Sequence, residues 1–133
     1  VYWSAKRALT MAAASAFARH GLYEGQQFIL RALWAVDGLT PGELAKQLGL
    51  STPTVTRAAT RMEAAGLLRR EPHPTDRRLV RLHLTGRGRD LEATIEDEMA
   101  GLADRALAGF DGAEREAVIG ALERIRSNLT VDD

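Results

Sequence analysis

The 133-residue chain carries 18 Lys/Arg against 18 Asp/Glu, is 45% hydrophobic and contains no cysteine. That size fits one ordinary domain, or a compact unit whose core a partner completes, and the balanced charge does not by itself announce a polyanion partner. The missing cysteine excludes a disulfide framework, a thiolate metal site, a cysteine nucleophile and thiol-based redox sensing.

No apolar run approaches the roughly 20 residues that span a bilayer, and the amino terminus lacks the long uncharged apolar stretch of a secretory leader. A soluble, cytoplasmic protein with no membrane partner is expected. Along the chain, residues 4–20 are rich in alanine and place Leu9, Ala13, Ala16, Phe17 and His20 near helical spacing, with Gly21 as the stop. Residues 24–36 repeat the pattern through Phe28, Ile29, Leu33 and Val36 and close on the turn residues Asp37 and Gly38. Thr40, Pro41 and Glu43 then form a helix start: a hydroxyl cap, a proline in the first turn and a Glu placed to complete a capping box. Leu44, Ala45 and Leu48 face inward, and Gly49 ends the helix. Ser51 opens the next one, which runs through Val55, Ala59 and Met62 to Gly66. Two short helices joined across Gly49 and Leu50 predict a helix-turn-helix.

Beyond Gly66 the period changes. Residues 67–71 and 79–84 predict two short strands, and the polar stretch between them, with Pro72, Pro74 and Asp76, makes them a hairpin whose loop carries Arg77 and Arg78. Thr85 caps a long helix with apolar residues at Leu91, Ile95, Met99, Leu102, Ala106 and Phe110. Asp111 and Glu114 give a second capping box, ahead of a final stripe at Val118, Leu122, Ile125 and Leu129. The expected class is mainly α with a small β-hairpin: a hairpin after a helix-turn-helix is a winged helix.

The overall neutrality hides a segregation. Residues 41–90 hold 10 Lys/Arg against 5 Asp/Glu, whereas residues 91–133 hold 4 against 11. A basic block followed by an acidic one fits one surface that meets a polyanion and another that stays away from it; two solvated helix faces would give the same count.

The run LTPGELAKQLGLSTPTVTRAATRMEAAGLLRREPHPTDRRLVRLHLTGRGRDL, residues 39–91, resembles the core of the multiple-antibiotic-resistance regulator (MarR) family. Its most specific piece is DRRLVRLHLTGRG, with Asp76 and Arg78 in the wing, an alternating strand, and Thr85 and Gly88 opening the long helix. The resemblance implies a homodimeric winged-helix DNA-binding regulator, often a repressor released by a small aromatic or phenolic ligand. It divides a single unit over 1–133 into dimerisation helices at 1–20 and 90–133 and a DNA-binding region at 24–89. Two recognition helices about one DNA turn (~34 Å) apart would then read a palindromic operator in double-stranded DNA.

The residues suit that role. A recognition helix presents short polar and basic groups from its first turns, and Ser51, Thr52, Pro53, Thr54, Thr56 and Arg57 stand there. Threonine offers a hydroxyl to phosphate or base edge and a methyl to thymine, and Arg57 can make a bidentate contact with guanine. Arg61, one turn further, is placed for the phosphate backbone. For Ser51 and Thr52 helix capping alone is the plainer alternative. In the wing, a guanidinium at a polar loop tip can enter a narrow minor groove. The resemblance favours Arg78 over Arg77 for insertion, with Asp76 orienting it and His73 within reach of phosphate. An exposed loop pair is the plainer alternative. Arg69, Arg70 and Arg81 flank the wing and would either touch phosphates or edge the strands with charge.

For a ligand, the aromatic residues Phe17, Tyr23 and Phe28 with His20 cluster at the first helix junction, and Arg31 is a charge partner for a planar acid; a plain core role is the alternative. The three histidines, His20, His73 and His83, are too scattered for a local metal motif, and no phosphate-binding loop, nucleophile elbow or paired-carboxylate constellation stands out. No metal, no cofactor and no enzymatic activity are expected. The rival reading is a winged helix that docks a protein and ignores DNA.

Overall fold

Residues 1–23 and 25–130 are described by the computed structural model. The elements run α1 (Tyr2–Ala18), α2 (Gln26–Ala35), α3 (Pro41–Leu48), α4 (Thr52–Ala64), β1 (Leu68–Pro72), β2 (Val80–Leu84), α5 (Gly86–Ala106) and α6 (Gly112–Leu129). The chain forms two compact units, the first spanning Val1–Met99 and the second beginning at Ala100.

Capping residues set the helix-turn-helix. The Thr40 hydroxyl accepts the Glu43 N–H at 3.1 Å and Pro41 sits at the first helical position, so α3 starts where the sequence asks. Only the hydroxyl half of the expected capping box forms there. Gly49 ends α3 at φ +66, a left-handed conformation that costs a β-carbon-bearing residue energy, and the chain turns directly into α4. Leu44, Val55, Ala59 and Met62, each at most 1% exposed, bring α3 and α4 onto a common core with Ile29, Leu30 and Leu33 of α2.

β1 and β2 pair antiparallel with Leu68 opposite Leu84 and Pro72 opposite Val80. Leu82 and Leu84 point into the core while Arg81 and His83 point away from it, the alternation a half-buried strand requires. A further strand stub was not foreseen: Leu39 bridges Leu82 on the second edge of β2, with Leu82 N–H donating to the Leu39 carbonyl at 2.9 Å. Thr85 then caps α5 by accepting the Gly88 N–H at 3.1 Å. A β-carbon on Gly88 would lie 2.3 Å from the Leu67 carbonyl oxygen, so only glycine lets the start of α5 approach the end of α4 this closely.

Two expectations need correction. The second helix starts at Gln26, and residue 24 lies outside the described residues. Its buried face is Gln26, Ile29, Leu30 and Leu33, an i, i+3, i+4, i+7 set that leaves Phe28 on the far side and Val36 beyond the helix end; both are more than half exposed. The long helix stops at Ala106, because Gly109 takes φ +85 and Asp111 caps a new helix, so Phe110 belongs to a turn and not to the α5 stripe. In the second unit the Asp111–Glu114 capping box forms in full, yet no residue of α6 is buried, and Ile119, Leu122, Ile125 and Leu129 are all exposed.

Candidate nucleic-acid interface

The amino-terminal half of α4 is an open polar surface. Ser51 caps it, its oxygen accepting the Thr54 N–H at 3.2 Å and lying 2.7 Å from the Thr54 hydroxyl. These two hydroxyls therefore satisfy each other and stiffen the first turn. Thr52 and Pro53 stand exposed beside them, and Thr56 is half-buried. Arg57 is exposed and, among the described residues, forms no ion pair; Arg61 follows one turn later on the exposed side. The free N–H groups and dipole of this helix start add positive potential to the same surface. The core face of α4 holds the opposite edge in place, so the polar face is presented by a rigid element.

The wing tip is more tightly built than an exposed loop requires. Asp76 Oδ1 accepts the Arg78 backbone N–H at 3.0 Å and its Nε–H at 3.1 Å, while Oδ2 accepts from the terminal guanidinium nitrogen at 3.0 Å. This fork holds Asp76 below the usual carboxylate range, chiefly through the Arg78 side chain and then its N–H, and pushes Arg78 up. Arg78 remains 88% exposed, an ordered cation projecting into solvent. Arg77 beside it is exposed without an ion pair among the described residues. His73, half-buried, turns its ring back on the loop and accepts backbone N–H groups from Thr75 and Asp76.

Of the three arginines that flank the wing, Arg69 and Arg70 are committed within the chain. Arg69 Nε donates to Glu71 at 2.9 Å and its terminal nitrogen to the Leu84 carbonyl, a pairing that also holds Glu71 low. Arg70 grips Glu63 at 2.8 Å and the Thr60 hydroxyl, lashing β1 to the end of α4. For these two the strand-edge alternative describes the observed contacts.

Several residues that hold the wing on the helices were not singled out from sequence. Asp37 accepts the Leu84 N–H at 2.9 Å and pairs with Arg89, while His83 lies 3.2 Å from Glu71 and 3.6 Å from Asp37. Burial works to raise Asp37, but the Leu84 N–H, Arg89, the Gly38 N–H and His83 outweigh it and hold it low. Thr85 Oγ1 donates to the Gly66 carbonyl at 2.6 Å and Arg87 to the Ala65 carbonyl at 2.8 Å, so the start of α5 closes the open carbonyls at the end of α4. The signal available was the TGRGR string after β2, whose hydroxyl and arginines stand beside a tight glycine.

The five residues singled out for a ligand do not share one cavity. Phe17 and Tyr23 line a cleft of about 630 Å³ with Thr10, Gln26 and Arg61, bounded by α1, the α1–α2 turn and the second half of α4. His20 instead lies 2.9 Å from Glu98, which Arg19 also holds at 2.7 Å; His20 first and Arg19 second keep this carboxylate low. Arg31 borders a separate cavity of about 480 Å³ with Trp34, Glu92, Ile95 and Met99. Phe28 borders neither. Among the described residues, no group of three His, Asp or Glu is placed to hold a metal ion, and no helix is long and apolar enough to cross a membrane.

A capped helix-turn-helix followed by a hairpin whose tip aims an arginine outward defines a winged helix-turn-helix protein. The family model that matches the chain, over residues 22–80, is that of the MarR family. TtmR of Methylorubrum extorquens, an HTH-type transcriptional regulator, is 31% identical over 130 residues, 96% of this chain and 64% of that relative. The crystal structure of RV1404 from Mycobacterium tuberculosis superposes with a TM-score of 0.83 at 26% identity, covering 98% of this chain and 90% of that one. A Listeria monocytogenes structure named for a MarR-family transcriptional regulator, complexed with 26-mer DNA, gives a TM-score of 0.70 at 26% identity, covering 93% and 83%. Over its winged helix-turn-helix the chain is thus similar to MarR-family transcriptional regulators in sequence and in fold. It spans about two thirds of the length of the curated relatives it matches.

Proposed function

We propose that the protein is a cytoplasmic, sequence-specific transcriptional regulator that binds double-stranded DNA as a homodimer and performs no chemistry on it. The observation that carries this reading is Arg78, 88% exposed yet held by three hydrogen bonds to Asp76. Ordering a guanidinium in open solvent serves no core. It removes in advance the conformational entropy that a contact with a narrow minor groove would cost. Asp76 sets the angle, Arg77 adds charge beside it, and His73 belongs to the same loop. On α4, Thr52 and Thr56 offer hydroxyl and methyl groups and Pro53 its apolar ring to base edges, Ser51 and Thr54 hold the first turn and face phosphate, Arg57 reads a base edge and Arg61 meets the backbone.

The homodimer follows from what each unit leaves in water. Tyr2, Trp3, Leu9 and Met11 are exposed in the first, and Ile119, Leu122, Ile125 and Leu129 in the second. A second copy covering these stripes would assign residues 1–20 and 90–133 to dimerisation and leave 24–89 to read DNA. Twofold symmetry then makes the preferred site an inverted repeat. Release by a small planar acid is the regulatory part of the proposal. The cleft lined by Phe17 and Tyr23 reaches Arg61 on α4, so filling it biases the helix that reads DNA, and a ligand that favours a misfitting conformation lowers affinity by population shift. Regulation of this kind makes the protein a repressor.

The test is duplex binding against salt. Affinity for mixed-sequence double-stranded DNA is expected to fall steeply between low and moderate salt, since each arginine–phosphate contact releases counterions. Salt-independent binding, or none in dilute buffer, contradicts the reading in favour of a protein-docking module. Titration of the bound complex with phenolic acids tests the regulatory part, which fails for those compounds if operator affinity is unchanged.

A further inference from the structure

The wing holds a second device, one step behind Asp76. The Nδ1 atom of His73 lies 3.2 Å from the Thr75 N–H and 3.1 Å from the Asp76 N–H, with the Thr75 hydroxyl at 3.4 Å. Two backbone donors converge on one ring nitrogen. That nitrogen therefore acts as an acceptor, which requires the neutral imidazole with its proton on Nε2. The loop is closed independently by the His73 N–H on the Leu79 carbonyl and the Leu79 N–H on the Asp76 carbonyl, both at 3.1 Å. The His73 ring thus does what an Asn or Asp side chain does in a side-chain-capped turn, accepting N–H groups two and three residues on. The residue it fixes is Asp76, the one that aims Arg78.

We infer that His73 is a positioning residue for the DNA-reading wing: its neutral Nδ1 caps the Thr75–Asp76 turn, sets the Asp76 carboxylate, and through it the direction of Arg78. This rests on the proposed DNA-binding reading and replaces a phosphate contact by His73 with an indirect role. The two roles ask opposite things of the ring. Protonation adds a charge that would favour a phosphate contact, but it converts the Nδ1 acceptor into a donor and leaves two N–H groups facing another N–H. The charged groups on the loop and on the strand ends that carry it are Asp76, Arg77, Arg78, Glu71 and Arg81. Asp76 is engaged by Arg78, and Glu71 by Arg69 and His83.

The experiment uses the full chain and a duplex selected by the wild-type protein from a randomised pool, with His73→Ala and His73→Asn compared. His73→Ala is expected to weaken binding roughly fivefold at neutral pH, the scale of one or two lost backbone hydrogen bonds. His73→Asn, which restores an oxygen acceptor at the same place, should bind within about twofold of wild type. Amide hydrogen exchange without DNA should show Thr75 and Asp76 protected in wild type and His73→Asn and open in His73→Ala. Wild-type affinity in His73→Ala, or equal weakness in both variants, overturns the inference. A wild-type protein that selects no duplex overturns the DNA-binding reading itself. Unprotected Thr75 and Asp76 amides in a protein that does bind DNA overturn the cap alone.

Discussion

Helices α4 and α6 are both amphipathic, and the chain treats them in opposite ways. Val55, Ala59 and Met62 on α4 are sealed from water by the same chain, whereas α6, longer by five residues, buries none of its side chains. An amphipathic face is stable only against something apolar, so the first helix belongs to a finished core and the second to an unfinished one. The polar faces differ as well. That of α4 carries hydroxyls and arginines with Asp and Glu absent from its first turn, while α6 opens on Asp111 and Glu114. Under the proposed reading, one region holds a rigid surface toward a polyanion and the other meets the apolar surface of a second copy.

Breaking the unfinished side should have the largest effect. Leu122→Glu with Ile125→Glu places carboxylates in the exposed stripe of α6, and sedimentation velocity is expected to report loss of the dimer while circular dichroism retains the helical signal. An unchanged sedimentation coefficient would mean that α6 faces water by design. Breaking the finished side comes next: Met62→Ala, at a position with no exposed surface, should destabilise the first unit by about 2–5 kcal/mol in urea unfolding. A smaller loss would mean that the core under α4 relaxes into the gap.

Within the polar surface, Arg57→Ala should cost about 1–3 kcal/mol of duplex affinity and relax base preference at one position of the selected site. Arg78→Ala should weaken binding while leaving base preference at the α4 contacts intact. Identical effects on preference would remove the distinction between helix and wing. The smallest effect is expected at the wing anchor. Because Asp37 is held below its ordinary value, its contribution is complete above the unfolded carboxylate range near 3.9 and is lost as pH falls through the lower folded value. Asp37→Asn keeps an acceptor for the Leu84 N–H but loses Arg89 and His83, and should cost under about 1 kcal/mol at pH 7, with the difference from wild type shrinking in acid. A difference that grows in acid would contradict the sign.

What could be read from sequence was what is local. Caps at Thr40, Ser51 and Asp111 act within three residues, and each forms at the position that its residue type dictates. The hairpin was legible because the switch from helical to alternating period is itself local. Contacts that join distant segments were not legible: Leu39 on Leu82, Asp37 on Leu84 and Arg89, and the near-touch of Gly88 on Leu67 depend on the assembled fold. On α2 the pattern marks Ile29 and Leu33, which are buried, but also the apolar Phe28 and Val36, which are not: a ten-residue helix has one buried face, and Leu30 fills it. The same limit separates the ligand residues: aromatic character places Phe17 and Tyr23 near one another, but Glu98, 78 residues away, draws His20 elsewhere.

The central claim is that two copies of this surface act together on one duplex. Native mass spectrometry of the protein with a duplex it has selected measures that directly. The account predicts two chains per duplex on an inverted repeat whose half-sites lie about one helical turn apart. A complex of one chain per duplex, or a preferred site without twofold symmetry, would contradict it.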